Sequence, residues 1–326
     1  MVRILTGEDV RQALPMRQAI EAMKVAFAQL STGQADVPLR VALRMDRHNG
    51  VTFFMPAYLA ASDQMAVKIV SVFADNPARG LPLIHALVVV VDATTGEPAA
   101  VMDGTYLTAL RTGAASGAAT DLLARQDACT VAVFGAGAQG RTQLEAVCAV
   151  RPIREAWIYD LEPERAAAYA AEMGQRLSLS VKVGASPSEA VRQADVICTA
   201  TTSSTPVFDD TDVQPGTHIN GVGAYTPQMQ EIPTETVLRA KVVIDHRKAS
   251  LAEAGDLLVP LRQGLMTEDH IYAELGEIAA GLKAGRSSPE EITIFKSVGV
   301  AVQDVAAAGA VLEAARSMGL GAEAVL

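Results

Sequence analysis

The chain has 326 residues, of which half are apolar and a fifth are charged, a composition typical of a globular protein with two domains. Its formal net charge of −10 at pH 7 disfavours nucleic acid and anionic lipid as partners, because both would be repelled. The longest dense apolar run, 86–91, is far shorter than the roughly 20 residues that span a membrane. Residues 1–9 carry charges where a signal peptide would be apolar, so we expect a cytoplasmic protein.

Cysteine and histidine usage argues against disulfides and metal sites. Cys129, Cys148 and Cys198 are far apart and form no C-x-x-C pair, so a disulfide framework or a cysteine zinc site is not expected. The five histidines are dispersed, and none forms an H-E-x-x-H motif. The sequence therefore predicts no metal centre.

The N-terminal region predicts a sheet rich in hairpins with at least one helix. Apolar residues recur at helical spacing over 16–30, and Gly33 follows as a helix end. Alternating apolar residues separated by turn signals predict strands further on. These strands cover 40–45, 51–55, 66–73, 83–92 and 99–102.

From Cys129 onward, short apolar strands alternate with helices, which is typical of a parallel, doubly wound sheet. The predicted strands are 130–134, 156–159, 180–183, 196–200, 218–221 and 241–245, and the predicted helices are 141–149, 163–177 and 186–193. A helix over 105–124 links the two regions, and a helix over 295–318 is expected to return to the first. The sequence thus predicts an α/β protein with a Rossmann domain, 123–299, and a discontinuous α+β substrate and dimerisation domain, 1–122 and 300–326.

A glycine-rich turn carries the strongest functional signal. Gly135, Gly137 and Gly140 follow the strand 130–134 at G-x-G-x-x-G spacing and open a helix. The first glycine permits the tight turn, the second lets a pyrophosphate approach the backbone, and the third allows close packing of helix on strand. The helix N-terminus would direct its N–H groups at the phosphates.

The cofactor indicated by this turn is NAD(H). Asp160 ends the next strand, where a carboxylate accepts hydrogen bonds from the ribose hydroxyls of NAD and repels the 2′-phosphate of NADP. Leu161 follows it, so no adjacent arginine favours that phosphate, although Arg165 lies one helical turn further on. The other candidate cofactor contacts are residues of the glycine turn, of the linking helix and of later strand ends: Ala138, Gln139, Thr112, Thr201, Thr202, Val222, Gly223 and Ser297.

Motifs along nearly the whole chain resemble the ornithine cyclodeaminase/mu-crystallin family. The matching segments are 55–58, 67–69, 101–104, 108–112, 135–139, 218–223, 254–256, 274–276 and 295–299. This resemblance implies a two-domain subunit, a homodimer built through the first domain, and a substrate bound between the domains. Members include cyclodeaminases, alanine dehydrogenases, reductases of cyclic ketimines and mu-crystallin-like binding proteins, so membership alone does not define the reaction.

The resemblance also implies a substrate site. Arg111 matches the arginine that binds the substrate carboxylate, and Lys68 matches a lysine that contacts the substrate and can move a proton. Arg44 matches a second carboxylate-binding arginine, with Arg40 and Arg47 as alternatives. A planar guanidinium can bind a carboxylate through two parallel hydrogen bonds, and burial can lower the pKa of a lysine.

Two departures from the family pattern bear on the reaction. Phe53 and Tyr225 stand where cyclodeaminases of this family carry a glutamate and an aspartate. Phenylalanine cannot bind the second amine of ornithine or accept a proton from it, and tyrosine is a poor base near neutral pH. Tyr225 is instead a candidate for lining the substrate pocket, and His85, near the end of a strand, is expected to be structural.

The remaining chemistry is reduction of a 2-imino acid. The leading prediction is NADH-dependent reduction of a cyclic ketimine such as Δ1-pyrroline-2-carboxylate. Lys68, or a water that it orders, transfers the proton on the substrate nitrogen. An open-chain, alanine-type dehydrogenase is the first alternative. A cyclodeaminase and a mu-crystallin-like binding protein are the further alternatives.

Overall fold

A computed structural model describes residues 1–325, which form two compact units. One unit comprises Met1–Arg111 together with 301–325, and the other comprises Thr112–Val300. The boundary at Arg111 lies in the middle of a long helix, whereas the sequence placed it after 122, at the C-terminal end of that helix. The second half of the helix is bonded into the second unit, because Gln143 and Asn220 donate hydrogen bonds to it. No helix in residues 1–325 is long and apolar enough to cross a membrane.

Strands and helices follow one another in an order that differs between the units. The first unit begins with β1 (Val2–Leu5), α1 (Gly7–Ala13), α2 (Met16–Ser31), β2 (Ala35–Asp36), β3 (Val41–Met45), β4 (Gly50–Leu59), β5 (Gln64–Phe73), β6 (Ile84–Asp92), β7 (Pro98–Asp103) and the start of α3 (Gly104–Leu123). The second unit continues with β8 (Thr130–Phe134), α4 (Ala138–Val150), β9 (Glu155–Tyr159), α5 (Pro163–Leu177), β10 (Ser180–Val183), α6 (Pro187–Arg192), β11 (Val196–Thr199), β12 (His218–Gly221), α7 (Thr234–Arg239), β13 (Lys241–Ile244), α8 (Arg247–Glu253), α9 (Gly255–Arg262), β14 (Ile271–Glu274), α10 (Leu275–Ala279) and β15 (Thr293–Lys296). The chain then returns to the first unit as α11 (Ala301–Met318) and β16 (Ala322–Ala324).

The first unit is a mixed sheet covered by helices. Its strand order is β16-β1-β7-β6-β5-β4-β2, with β3 paired to β4. The central strands β4 to β7 form antiparallel hairpins, as the alternating pattern predicts. Helix α11 packs on β4, β5 and β6 and also contacts α2. Most of its side chains are buried, because apolar residues surround nearly its whole circumference.

The register across this sheet sorts its residues into two faces. Lys68 on β5 pairs with Met55 on β4 and Val88 on β6. Successive residues of a strand point to opposite faces, so the neighbouring row lies on the other side. That row is apolar across four strands and consists of Val41, Phe54, Ile69 and Leu87.

The second unit is a parallel sheet with the order β10-β9-β8-β11-β12-β15-β13-β14. The chain proceeds from β8 through β9 to β10, then returns to add β11 on the other side of β8. In such sheets ligands bind beyond the carboxyl ends of the strands, where the order reverses. The predicted α/β class with a doubly wound parallel sheet is confirmed, and this reversal places the loops after β8 and β11 side by side.

One predicted helix is wrong at its beginning. The sequence predicted a helix over 295–318, but Phe295 and Lys296 belong to the central strand β15, and α11 starts at Ala301. Gly299, at φ +83°, separates the two elements in a conformation that favours glycine. Lys296 concealed the strand, because a charged residue is unusual in a fully buried strand.

Candidate active site and cofactor-binding loops

Lys68 lies in the interior of the first unit, opposite an aspartate of helix α11. Its side chain is 2% exposed, and its Nζ is 2.8 Å from Oδ2 of Asp304, which is itself 1% exposed. Asp304 is in the first turn of α11, the helix that packs on β5. A buried charge is tolerated when it is paired with an opposite charge. Asp304 therefore explains how Lys68 can be buried, and Lys68 explains how Asp304 can be.

Arg111 joins the same cluster from helix α3. Its Nε is 3.1 Å from Oδ1 of Asp304, and a terminal nitrogen donates a hydrogen bond to Oε1 of Gln303. Asp304 therefore bridges Lys68 and Arg111 through its two carboxylate oxygens. Two residues that were predicted to act together are brought together, held by a carboxylate that the sequence did not single out.

The buried cluster changes the acidity of Lys68. Its pKa is lowered to about 8, mainly because burial disfavours the charged ammonium. Asp304 opposes this shift, whereas the positive charges of Arg111 and Arg40 add to it. An amine with a pKa near neutrality can both donate and accept a proton under ordinary conditions.

The structure separates Arg44 from this cluster and favours Arg40. Arg44 is exposed on β3 and pairs with Val51, which pairs with Val72. Val72 is four residues along β5 from Lys68, a separation of about 13 Å. Arg40 directly precedes the Val41–Phe54 pair and is close enough to lower the pKa of Lys68. Arg40, which the sequence offered as an alternative to Arg44, is therefore the arginine beside Lys68.

Phe53 supports Arg40 directly, whereas Tyr225 and His85 are exposed. The Arg40 guanidinium lies 4.9 Å from the centre of the Phe53 ring, which is a cation–π contact. Tyr225 is 44% exposed in the loop that follows β12. His85 is exposed on β6, where it pairs with Ser71. The position that carries a carboxylate in cyclodeaminases is thus occupied by an aromatic ring beneath an arginine.

In the second unit, the glycine turn has the geometry that a dinucleotide requires. Gly135 has φ +99°, and a Cβ there would lie 2.6 Å from the carbonyl oxygen of Ala200. A Cβ on Gly140 would lie 2.1 Å from the carbonyl oxygen of Gly135. At Gly137 nothing lies within 4 Å of that position, so the approach to the backbone is open there. Helix α4 starts next, with no side-chain cap on its first N–H groups.

Asp160 lies directly after β9, beside the glycine turn. Its Oδ2 accepts a hydrogen bond of 2.7 Å from the backbone N–H of Ala136, and its Oδ1 accepts one of 3.0 Å from the backbone N–H of Glu162. Arg165 is exposed and forms an ion pair of 2.9 Å with Glu162. Asp160 thus faces the glycine turn from the position expected of a ribose-binding carboxylate. The guanidinium of Arg165 is paired with the carboxylate of Glu162.

The other candidate cofactor residues lie in the segments that follow the carboxyl ends of adjacent strands, with one exception. Thr201 and Thr202 follow β11, Val222 and Gly223 follow β12, and Ser297 follows β15, and these three strands are neighbours in the sheet. Ala138 and Gln139 form the first turn of α4. Thr112 is the exception, since it is buried in α3 and accepts a hydrogen bond from Gln143.

Two buried carboxylates beneath these loops escaped the sequence analysis. Glu231 accepts hydrogen bonds from the loops after β11 and β12. Asp245 accepts from Ser297 Oγ and from the N–H groups of Val298 and Gly299, all at 2.8 Å. Ser297 therefore directs its hydroxyl at Asp245. Asp245 follows the apolar strand β13 directly, which was an available signal, whereas the polar surroundings of Glu231 in the sequence gave none.

Three comparisons with known proteins agree with this arrangement. The sequence model of the ornithine cyclodeaminase/mu-crystallin family matches residues 2–319. A Δ1-pyrroline-2-carboxylate reductase of Bacillus cereus is 39% identical over 98% of both chains. The structure of Thermococcus litoralis Δ1-pyrroline-2-carboxylate reductase in complex with NADH and L-proline superposes with a TM-score of 0.95, at 42% identity, covering 99% of this chain and 100% of that one. An archaeal alanine dehydrogenase dimer with bound NAD superposes with a TM-score of 0.93 at 38% identity, covering 99% of each chain.

Proposed function

Because this chain belongs to the ornithine cyclodeaminase/mu-crystallin family, we propose that it is an NAD(H)-dependent reductase of 2-imino acids, with Δ1-pyrroline-2-carboxylate as substrate and L-proline as product. It is an oxidoreductase acting on C–N bonds, and its cofactor is NAD(H). The observation that carries the substrate is full-length similarity to Δ1-pyrroline-2-carboxylate reductases, combined with the Lys68–Asp304–Arg111 cluster.

The cluster supplies what reduction of a carbon–nitrogen double bond needs from the protein. Arg111 uses Nε and one terminal nitrogen for Asp304 and Gln303, and a guanidinium has five N–H donors in all. The remaining edge can bind the substrate carboxylate, with Arg40 as the second cation. When bound, NADH supplies the hydride that adds to C2 of the C=N bond.

Lys68 is the proton donor for the substrate nitrogen in this proposal. An ammonium with a pKa near 8 releases a proton readily, and Asp304 stabilises it at 2.8 Å until then. Exclusion of water by the buried surroundings strengthens these charge interactions. The nitrogen gains one proton and the carbon gains one hydride, so the imine becomes an amine and NADH becomes NAD⁺.

Phe53 supports reduction over the cyclodeaminase alternative. It offers no carboxylate to manage a second amine, and its ring contacts Arg40 instead. The alanine-type dehydrogenase remains a second candidate, because the archaeal alanine dehydrogenase is about as similar as the reductases. A dehydrogenase of that kind must also transfer protons as ammonia adds to the 2-oxo acid and water leaves. In the described cluster, Lys68, with its pKa of about 8, is the group suited to all of these transfers.

The test is the oxidation of NADH, followed by absorbance, on addition of Δ1-pyrroline-2-carboxylate, with NADPH in a parallel cuvette. We expect rapid turnover with NADH, loss of turnover in Lys68→Ala, and much slower turnover with pyruvate plus ammonia. Faster turnover with pyruvate plus ammonia would favour the dehydrogenase. Absence of turnover with either substrate would overturn the proposed reaction.

We further propose a homodimer formed through the first unit. Val41 and Leu87, at the two ends of the apolar row on the face opposite Lys68, are 56% and 38% exposed. Leu43, two residues along β3 from Val41 and so on the same face, and Leu39 nearby are also exposed. Contiguous exposed apolar surface of this kind marks protein interfaces, and the archaeal alanine dehydrogenase is a dimer. A cytoplasmic location stays a prediction.

A further inference from the structure

Glu231 is a buried carboxylate to which no step of the proposed reaction assigns a role. It lies ten residues after β12 and is fully buried. Its Oε1 accepts hydrogen bonds from the backbone N–H of Thr201 at 2.6 Å and from Oγ1 of the same residue at 2.8 Å. Its Oε2 accepts from the N–H groups of Gly223 and Ala224, at 2.7 and 2.9 Å, and from Oγ1 of Thr199 at 3.1 Å. Five donors thus converge on one carboxylate.

These donors come from two different loops. Thr199 and Thr201 end β11 and begin the loop that follows it, whereas Gly223 and Ala224 belong to the loop after β12. Both loops lie at the carboxyl edge of the parallel sheet, where ligands of such sheets bind. Glu231 therefore connects two adjacent segments of the candidate cofactor surface from beneath.

The packing around Gly223 provides independent support. A Cβ at this position would lie 2.2 Å from the carbonyl oxygen of Thr201 and 2.3 Å from Oε1 of Glu231. The two loops and the carboxylate are therefore in contact with no space for a side chain between them. This arrangement requires glycine, although Gly223 does not have a positive φ.

A buried ion pair lies next to Glu231. Lys296 Nζ is 2.7 Å from Oδ2 of Asp256, and both side chains are fully buried. Asp256 uses its other oxygen to accept hydrogen bonds from the N–H groups of Glu231 and Ile232, at 2.6 and 2.9 Å. Asp256 therefore fixes the backbone of Glu231. Burial raises the pKa of the Glu231 carboxyl, and the positive charge of Lys296 and the hydrogen bonds from Thr201 oppose that shift.

We propose that Glu231 is a positioning residue for NAD(H), which holds the loops after β11 and β12 in the one arrangement that the cofactor binds. It does not contact the reacting atoms, so its loss acts on cofactor affinity rather than on the chemical step. The proposal rests on the proposed NAD(H) site. Glu231→Gln is the informative variant because it keeps the shape of the side chain but turns an NH₂ group toward donors that need an acceptor.

A control position lies at the opposite ends of the strands of the same sheet. Asp195, directly before β11, accepts hydrogen bonds from the N–H groups of Cys129 and Thr130 and forms an ion pair with Arg125. Asp195→Asn therefore removes a carboxylate that also binds backbone N–H groups, but at the amino ends of the strands. If loss of a carboxylate that binds backbone N–H groups were enough to weaken NADH binding wherever it lies in the second unit, Asp195→Asn would weaken it too.

The experiment measures binding of NADH by isothermal titration calorimetry, without substrate, to the wild type, Glu231→Gln and Asp195→Asn. We expect the Kd for NADH to rise about tenfold or more in Glu231→Gln and to stay within about twofold in Asp195→Asn. In steady-state assays the KM for NADH rises in Glu231→Gln, while kcat at saturating NADH changes little. An unchanged Kd in Glu231→Gln would overturn the proposal.

Hydrogen exchange followed by mass spectrometry gives a second readout that needs no activity. Glu231→Gln should speed exchange in peptides covering 199–205 and 222–226, and saturating NADH should restore their protection. Equal exchange in these peptides in the two proteins would contradict the role of Glu231, even if the variant were less stable. If the wild type itself binds no NADH, the proposed function fails instead, so the two failures are distinguishable.

Discussion

Lys68 and Asp304 form an ion pair of 2.8 Å with both side chains almost completely buried. Removing two charges from water can cost more free energy than their attraction returns, so a buried pair is weak evidence of a stabilising role. Strongly shifted buried groups are concentrated at functional sites. Arg111 pairs with the second oxygen of Asp304. The cluster thus combines a group that can transfer a proton with a guanidinium that can bind a carboxylate, as the proposed reaction requires.

The first prediction concerns the pH dependence of the wild type. The protonated fraction of Lys68 falls as the pH rises through its pKa of about 8. Because reduction consumes a proton, kcat/KM for imine reduction should be constant below that pH and fall about tenfold per pH unit above it. Proline oxidation should rise over the same range, because neutral Lys68 accepts the proton. Initial rates in both directions from about pH 6 to about pH 10 test this, and a reductive profile without this limb would contradict the role of Lys68.

The second prediction concerns Asp304→Asn. Asp304 is the group that raises the pKa of Lys68 against burial, so its neutralisation should shift the reductive limb to lower pH. The kcat/KM for reduction at neutral pH should fall about tenfold or more. Glu313→Gln, an exposed position on the same helix, is the control and should leave the profile unchanged. A limb at its wild-type position in Asp304→Asn would show that Asp304 does not control Lys68.

The third prediction compares two arginines at the same face of one sheet. Arg40→Ala should raise the KM for the imino acid about a hundredfold, since a charged contact to a carboxylate is lost. Arg44→Ala, an exposed position four residues further on, should change it less than about twofold. Steady-state kinetics with varied imino acid and saturating NADH measure both. The reverse ranking would restore Arg44 as the carboxylate ligand.

These arginines show what the sequence could and could not establish. Arg40 and Arg44 are separated by an even number of residues, so the period of a strand places both on the same face. Only the register of β3 on β4, and of β4 on β5, shows which one shares the row of Lys68. That register depends on the turn after β3, which alternation does not encode.

The second unit was more predictable for a physical reason. The glycine turn at 135–140 is recognisable from the sequence alone, because its three glycines have a fixed spacing between a strand and a helix. Asp304 and Glu231 have their roles through partners that are distant in the chain, on other strands and loops. Nothing in the residues next to Glu231 along the chain distinguishes it from a surface glutamate.

The fourth prediction concerns cofactor choice. Asp160→Asn retains an oxygen that can accept from the Ala136 N–H but removes the charge that repels a 2′-phosphate. The ratio of kcat/KM with NADH to that with NADPH should fall at least about tenfold. Glu164→Gln, an exposed acid in the first turn of α5, serves as the control and should keep the ratio. A ratio unaffected by Asp160→Asn would assign the discrimination to another residue.

The fifth prediction concerns the exposed apolar row of the first unit. Val41→Glu places a charge in the proposed interface, where burying it unpaired would cost more than the contact contributes, so the dimer should dissociate. Val25→Glu is a matched control, because Val25 on α2 and Val41 on β3 are each 56% exposed. Sedimentation equilibrium at micromolar concentration should show a monomer for Val41→Glu and a dimer for both Val25→Glu and the wild type. If Val41→Glu stays a dimer, the subunits associate through another surface, whereas a monomeric wild type would remove the dimer altogether.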